Sequence, residues 1–165
     1  MKKGGGRRKG SSFELTLAKQ ISNAIGVEYG SAIRRTPNSG ALTTRADLYI
    51  APKYFDKFPF FLEAKCRENW NFHQYFSTTK EWEPISWYKD AIEKSKIDPH
   101  YPESVIPILV FAQNRKVPLL MIRDDYYCQY ADSRYFTKIN KIISIDGTEG
   151  ETYFVFLWSD FLSTL

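Results

Sequence analysis

One stretch of this chain restricts its architecture more than any other: Val105-Ile106-Pro107-Ile108-Leu109-Val110-Phe111-Ala112, bounded by Pro102 and Asn114. Side chains alternate between the two faces of a strand, so a strand that is apolar at nearly every position has to be covered on both faces. That calls for a layered fold with helices packed over a sheet. The run falls far short of the roughly 20 residues that span a bilayer, and no other stretch is longer, so no membrane span is expected. The basic N-terminal residues lead into Gly, Ser and an amphipathic segment rather than into an apolar signal core, and a cytoplasmic location is expected.

The segments around that run supply the layers. From Phe13 the apolar residues Phe13, Leu17, Ile21, Ala24 and Ile25 recur at helical spacing, with Gly26 as the stop signal. Val27 to Arg35, Ala46 to Ala51 and Phe60 to Cys66 read as strands of a meander, the first two separated by the turn-like Thr36-Pro37-Asn38-Ser39-Gly40. Ser86 to Ile97 reads as a helix presenting Trp87 and Ala91 inward, after which the chain returns to the sheet. Pro118 to Ile122 pairs with the apolar run, and Ile142 to Ile145 and Tyr153 to Trp158 are strands flanking the turn at Asp146 to Gly150. The order predicts an α/β domain with a mixed central sheet flanked by helices. At 165 residues and 43% hydrophobic content, one domain over residues 11–165 is expected. Residues 1–10, built of Gly, Lys and Arg with one Met, read as a flexible basic arm.

Charge is unevenly placed. Up to Ala46 there are nine Lys and Arg against two acids, and beyond it fourteen against seventeen, so +7 is followed by −3. Excess cation at one end suits a nucleic-acid partner, because neutralising phosphates releases counterions. The alternative is a basic solubilising tail. Cys66 and Cys128 stand at no zinc-ligand or disulfide-framework spacing, and buried thiols are the simpler reading.

The chemistry centres on Phe60 to Cys66. Alternation puts Glu63 and Lys65 on one face and Leu62 and Ala64 on the other. Asp47 begins the neighbouring strand, where an antiparallel pairing would bring its carboxylate beside Glu63. Two hard oxygen ligands with room for water suit Mg2+, and Mn2+ accepts the same site. Lys65 is placed to orient or deprotonate water or to steady charge on a phosphoryl group. A cross-strand Glu–Lys pair on a solvated face is the plain alternative, weighed against a strand that looks buried, where unpaired charge is costly. Glu14 has two readings. It borders the apolar stripe and can face the sheet, or it closes a Ser-x-x-Glu capping box from Ser11.

Lys9-Gly10-Ser11-Ser12-Phe13-Glu14, Thr44-Arg45-Ala46-Asp47-Leu48-Tyr49 and Phe61-Leu62-Glu63-Ala64-Lys65-Cys66 resemble, in type and order, the motifs of the PD-(D/E)xK nuclease superfamily. Within it the chain is most similar to archaeal-type and phage Holliday junction resolvases, with Arg34, Arg35, Ser39 and Gly40 fitting the loop before the aspartate. Asp47 follows Ala46 where the superfamily pattern has Pro. The resemblance implies a restriction-endonuclease-like core and a Mg2+-dependent endonuclease whose catalytic residues are Glu14, Asp47, Glu63 and Lys65. It implies metal ligands from Asp47, Glu63, Glu14 and the Ala64 carbonyl, and DNA contacts from Lys9, Arg34, Arg35 and Ser39. It also implies a homodimer acting on four-way junctions or duplex DNA in a phage-infected or prokaryotic cell.

Two other functions stay open at this point: a less selective nuclease of the same fold, and a basic DNA-binding module without catalysis. His73 and His100 have no partner at a telling spacing and read as structural or surface residues. Gln74 is placed near DNA by no spacing argument, and the aromatics Trp70, Phe72, Tyr75, Phe76, Trp82, Trp87 and Tyr88 read first as packing.

Overall fold

A computed structural model describes residues 5–36, 44–77, 80–130 and 134–165. Of the turn expected over Thr36 to Gly40, the residues from Pro37 on, including Ser39 and Gly40, lie outside them, as do the first four residues of the arm. The chain forms a five-stranded sheet in the order β3-β4-β5-β7-β6, beside a two-stranded ribbon, β1-β2. The strands are β1 Ile33–Arg35, β2 Leu48–Ile50, β3 Phe60–Cys66, β4 Ile106–Ala112, β5 Leu119–Arg123, β6 Ile142–Asp146 and β7 Thr152–Leu157. The helices are α1 Gly5–Ala24, α2 Phe72–Ser77, α3 Glu83–Lys96, α4 Asp124–Tyr130 and α5 Trp158–Leu162. β3 and β4 run parallel, and the remaining pairs of the large sheet are antiparallel. This mixed sheet flanked by helices is the restriction-endonuclease-like arrangement expected.

The apolar run forms β4, every residue of which is buried. A parallel neighbour needs a crossover, and α3 supplies it. Tyr88 pins that crossover: its buried hydroxyl donates to the Pro107 carbonyl (2.9 Å) and accepts from the Arg123 N–H (3.0 Å), tying α3 to β4 and to the end of β5. Pro107, which brings no N–H, lies in the part of β4 that β5 does not pair with, so no ladder bond is lost there. On the other face, Leu17, Ala18 and Ile21 of α1, and Ile25 just past its end, are buried in one core with Phe60, Leu62, Ile108 and Val110. Each large side chain so buried stabilises the fold by about 1.5–3 kcal/mol relative to exposure. The helix ends as its sequence signals: Gly26 takes φ 67°, the Gly26 N–H reaches the Asn23 carbonyl and the Val27 N–H reaches the Ser22 carbonyl.

Three expectations change. α1 begins at Gly5, so most of the supposed flexible arm is helix, each added residue extending a helix already nucleated by its buried stripe. The strand expected from Val27 shrinks to Ile33–Arg35, because Gly30 at φ 100° turns the chain back and its N–H bonds the Ile33 carbonyl. The three-stranded meander is not formed. β1 and β2 pair with each other, whereas β3 pairs with β4 and, among the described residues, meets the ribbon's backbone through the bond from Asp47 N–H to the Leu62 carbonyl (3.3 Å).

Candidate active site

The ribbon reaches β3 through the aspartate itself. Oδ2 of Asp47 accepts the Ala64 N–H at 2.7 Å, taking the donor that a further ladder bond would have used. Side chain and backbone of Asp47 thus grip the free edge of β3 on either side of Glu63. The approach to Asp47 is held from elsewhere: the buried carboxylate of Asp98, just past α3, accepts from the Thr44 hydroxyl (2.8 Å) and from the Arg45 N–H. The Ala46 N–H in turn bonds Thr44 Oγ1 at 3.1 Å.

Glu63 is 1% exposed, although β3 is an edge strand. Its Oε1 accepts two ammonium groups, Lys65 at 2.5 Å and Lys94 at 2.6 Å, while its Oε2 is buried with no hydrogen-bond partner. Glu63 and Lys65 therefore converge as the alternation requires, and the solvated-pair alternative fails on burial. Burial, then the nearby Glu63 charge, push the Asp47 carboxyl up to about 7, with Glu14 adding in the same direction against the Ala64 N–H and Lys65. Burial opposes the Lys65 ammonium, but the charge and hydrogen bond of Glu63, with help from Asp47, hold its pKa above the ordinary lysine value. Lys65 is a cation at neutral pH.

Lys94 escaped the sequence reading. It lies three residues after the buried Ala91, on the flank of the α3 face that packs on the sheet, and that helical spacing was the only signal for it. Asp98, one turn further on, continues the same flank to the Thr44–Arg45 latch.

Glu14 stands apart from this group. Since α1 starts at Gly5, Ser11 is inside the helix and caps nothing, so the capping-box reading falls. The Glu14 carboxylate instead accepts from Arg35 Nε at 2.5 Å, with both side chains partly buried. It acts on Asp47 through charge, and no group of three or more His, Cys, Asp or Glu able to hold an ion occurs among the described residues. Arg34 leaves the other side of β1, with its guanidinium 3.9 Å from the centre of the Tyr49 ring. Lys9 is exposed on α1 and only 3.9 Å from a Glu68 oxygen, a loose surface pair. His100 is structural, with Nε2 2.7 Å from the Ile50 carbonyl and its ring stacked on Tyr49. Trp70, Trp82 and Tyr88 are buried in a second core with Phe111, against which Phe72, Tyr75 and Trp87 pack, while Phe76 is exposed.

An acid just before one strand, an acid and a lysine two apart on the next and a mixed sheet behind them are the arrangement that the resemblance to the PD-(D/E)xK nucleases leads one to expect. The chain belongs to that class through a specific family: residues 5–165 match the model of the family described as Phage putative PDDEXK endonuclease. Comparison with curated proteins and with solved structures gave no match. Among the described residues, no helix is long and apolar enough to cross a membrane.

Proposed function

We propose that the chain is a Mg2+-dependent endonuclease that hydrolyses DNA phosphodiester bonds at Asp47, Glu63 and Lys65. The observation that carries this reading is the buried, unpartnered Oε2 of Glu63 beside an Asp47 whose ionisation is opposed by burial and by Glu63. Two acids crowded in a poorly solvated place destabilise a fold unless a cation joins them. Their hard oxygens fit a divalent ion, with Oε2 of Glu63 and the Asp47 carboxylate as its protein ligands. When bound, the ion would supply positive charge to the phosphoryl oxygens and a more acidic water.

The chain's own groups divide the remaining work. Lys65 and Lys94 both hold Oε1 of Glu63, which fixes the carboxylate so that Oε2 faces away from them. As a cation, Lys65 orients a nucleophilic water and opposes the extra negative charge that develops at phosphorus; with its pKa raised, it is not the base. In the ion-free site Asp47 gains its full charge as pH rises through about 7, so binding of the ion should strengthen over the same interval. Glu14 and Arg35, held together, border the site from α1 and β1, where Arg35 can exchange its carboxylate for a phosphate.

The finer reading is a homodimer that resolves four-way junctions by paired nicks. It is supported by the order of the motifs that include Glu14, Arg34 and Arg35, and by the pairing of Glu14 with Arg35. Labelled four-way junctions, linear duplex and single strands, incubated with Mg2+ or EDTA, test both levels. Mg2+-dependent cutting that disappears in Asp47→Ala and Glu63→Ala is expected, with junctions cut in preference to duplex. Undiminished cutting by either variant would remove the metal site, and equal cutting of linear duplex would remove junction resolution while leaving the nuclease.

A further inference from the structure

A groove of about 470 Å³ lies on the α1 face of the sheet, outside the carboxylate site. Its walls are α1 from Lys9 to Gln20 and the β4–β5 turn, and Cys66, at the end of β3, contributes to its floor. Three cations line it, Lys9, Arg115 and Lys116, amid hydroxyl and amide side chains, and no carboxylate does. The chain has 19 acids, and the lysines of the sheet and of α3, Lys65, Lys89, Lys94 and Lys96, each pair with at least one of them. Arg115 and Lys116 make no ion pair among the described residues, and both are exposed. Unmatched cations facing a concave wall without acids produce a positive field that exposed pairs cancel elsewhere.

The turn is built to present them. Arg115 is held at φ 61°, a left-handed conformation that a residue other than glycine rarely takes, and the Lys116 N–H closes the turn on the Gln113 carbonyl. The Gln113 amide then fastens the turn to the segment after β3, donating to the Trp70 carbonyl at 2.6 Å. The groove lies at the end of β3 that follows the site: Cys66 comes directly after Lys65 along the strand, on its other face, and Ser12, Phe13 and Thr16 belong to the same turns of α1 as Glu14.

We propose that this groove is the track for the phosphodiester backbone of DNA on one side of the scissile bond, with Lys9, Arg115 and Lys116 each neutralising a phosphate. It rests on the nuclease reading and names the surface that holds the strand. Phe13 and Pro118 form apolar wall against which sugars pack, while the cations reach the phosphates.

Binding of a fluorescein-labelled DNA duplex in EDTA, followed by anisotropy across a salt series, tests it without relying on cleavage. The double variant Arg115→Asn, Lys116→Gln keeps a residue that tolerates the left-handed turn. It should bind about one to two orders of magnitude more weakly near 0.1 M salt, with a salt slope shallower by about two. Lys9→Gln should flatten the slope by about one. Lys53→Gln with Lys57→Gln removes the same charge before the opposite end of β3 and should leave both quantities at wild-type values. Wild-type-like binding by the Arg115 and Lys116 variant, or equal weakening by both double variants, would overturn the groove as the track while the nuclease reading survives through Mg2+-dependent cutting. A wild-type protein that neither binds nor cuts DNA would overturn the nuclease reading itself, and the groove with it.

Discussion

α3 carries two lysines five residues apart that sit in opposite kinds of cluster. Lys94 is one of two ammonium groups on a single buried carboxylate, Glu63. Lys89 is a single ammonium shared by three carboxylates, Glu81 at 2.6 Å, Glu151 at 2.8 Å and Glu149 at 3.1 Å, near the surface. The surface cluster joins α3 to the β6–β7 hairpin, and its charges are satisfied where water can share them. The interior cluster leaves Oε2 of Glu63 with no partner. A helix can therefore use the same residue type as a fastener at one point and as part of the candidate site one and a half turns later; burial and an unmet oxygen distinguish the two.

The comparison breaks most sharply on activity. Glu63→Gln should lower cleavage by roughly three orders of magnitude or more, since it removes the charge that both lysines and a divalent ion require, whereas Glu151→Gln should leave the rate within about two-fold. Comparable losses from the two variants, in a single-turnover assay, would erase the distinction. Next in size, Lys65→Met should cost about two to three orders of magnitude and Lys94→Met about one, because the proposed mechanism sets Lys65 beside the reacting phosphate and gives Lys94 only the carboxylate to steady. A larger loss at Lys94 would exchange their roles.

Stability against pH sharpens the contrast, because the two clusters titrate with opposite signs. The Asp47 carboxyl is raised from 3.8 to about 7, so as pH rises from about 4 to 7 the unfolded chain releases a proton that the folded one retains, and stability falls. Asp47→Asn should then raise the melting temperature at pH 8, by an amount corresponding to roughly 1–3 kcal/mol, while abolishing cleavage. Addition of Mg2+ should raise the melting temperature of the wild type and not of this variant. Glu151 is lowered from 4.5 to about 2, with its hydrogen bond to Lys89 the main cause. Its contribution is present above pH 4.5 and is lost as pH falls through about 2. Smallest of all, Lys89→Met should cost at most about 1 kcal/mol, less at high salt, with the cleavage rate unchanged. A denaturant titration at two salt concentrations would show it.

What was legible in the sequence follows the same division between continuous and distributed signals. β3 and β4 could be read almost residue by residue because apolar runs bounded by Pro and polar residues leave few alternatives, and the convergence of Glu63 and Lys65 follows from alternation within one strand. The pairing of Asp47 with β3 was foreseen, yet by the wrong route: a ladder was expected, and a carboxylate bound to the Ala64 N–H does the work. Lys94 and Asp98 act across crossovers, at separations of 31 residues from Glu63 and 54 from Thr44, where no period connects partners. The short helices α2, α4 and α5 were missed because five to seven residues are too few to display a helical period.

The Asp98 latch has a consequence for how the protein fails on warming. The residues just before Asp47 hang from a carboxylate at the end of α3, through a hydroxyl and one N–H, instead of from a sheet ladder. Local openings draw on the least supported bonds first, and these support little apolar surface of their own. Heat should therefore silence the enzyme below the temperature at which its sheet melts, and cooling should restore it, giving a reversible loss of activity that precedes any loss of fold.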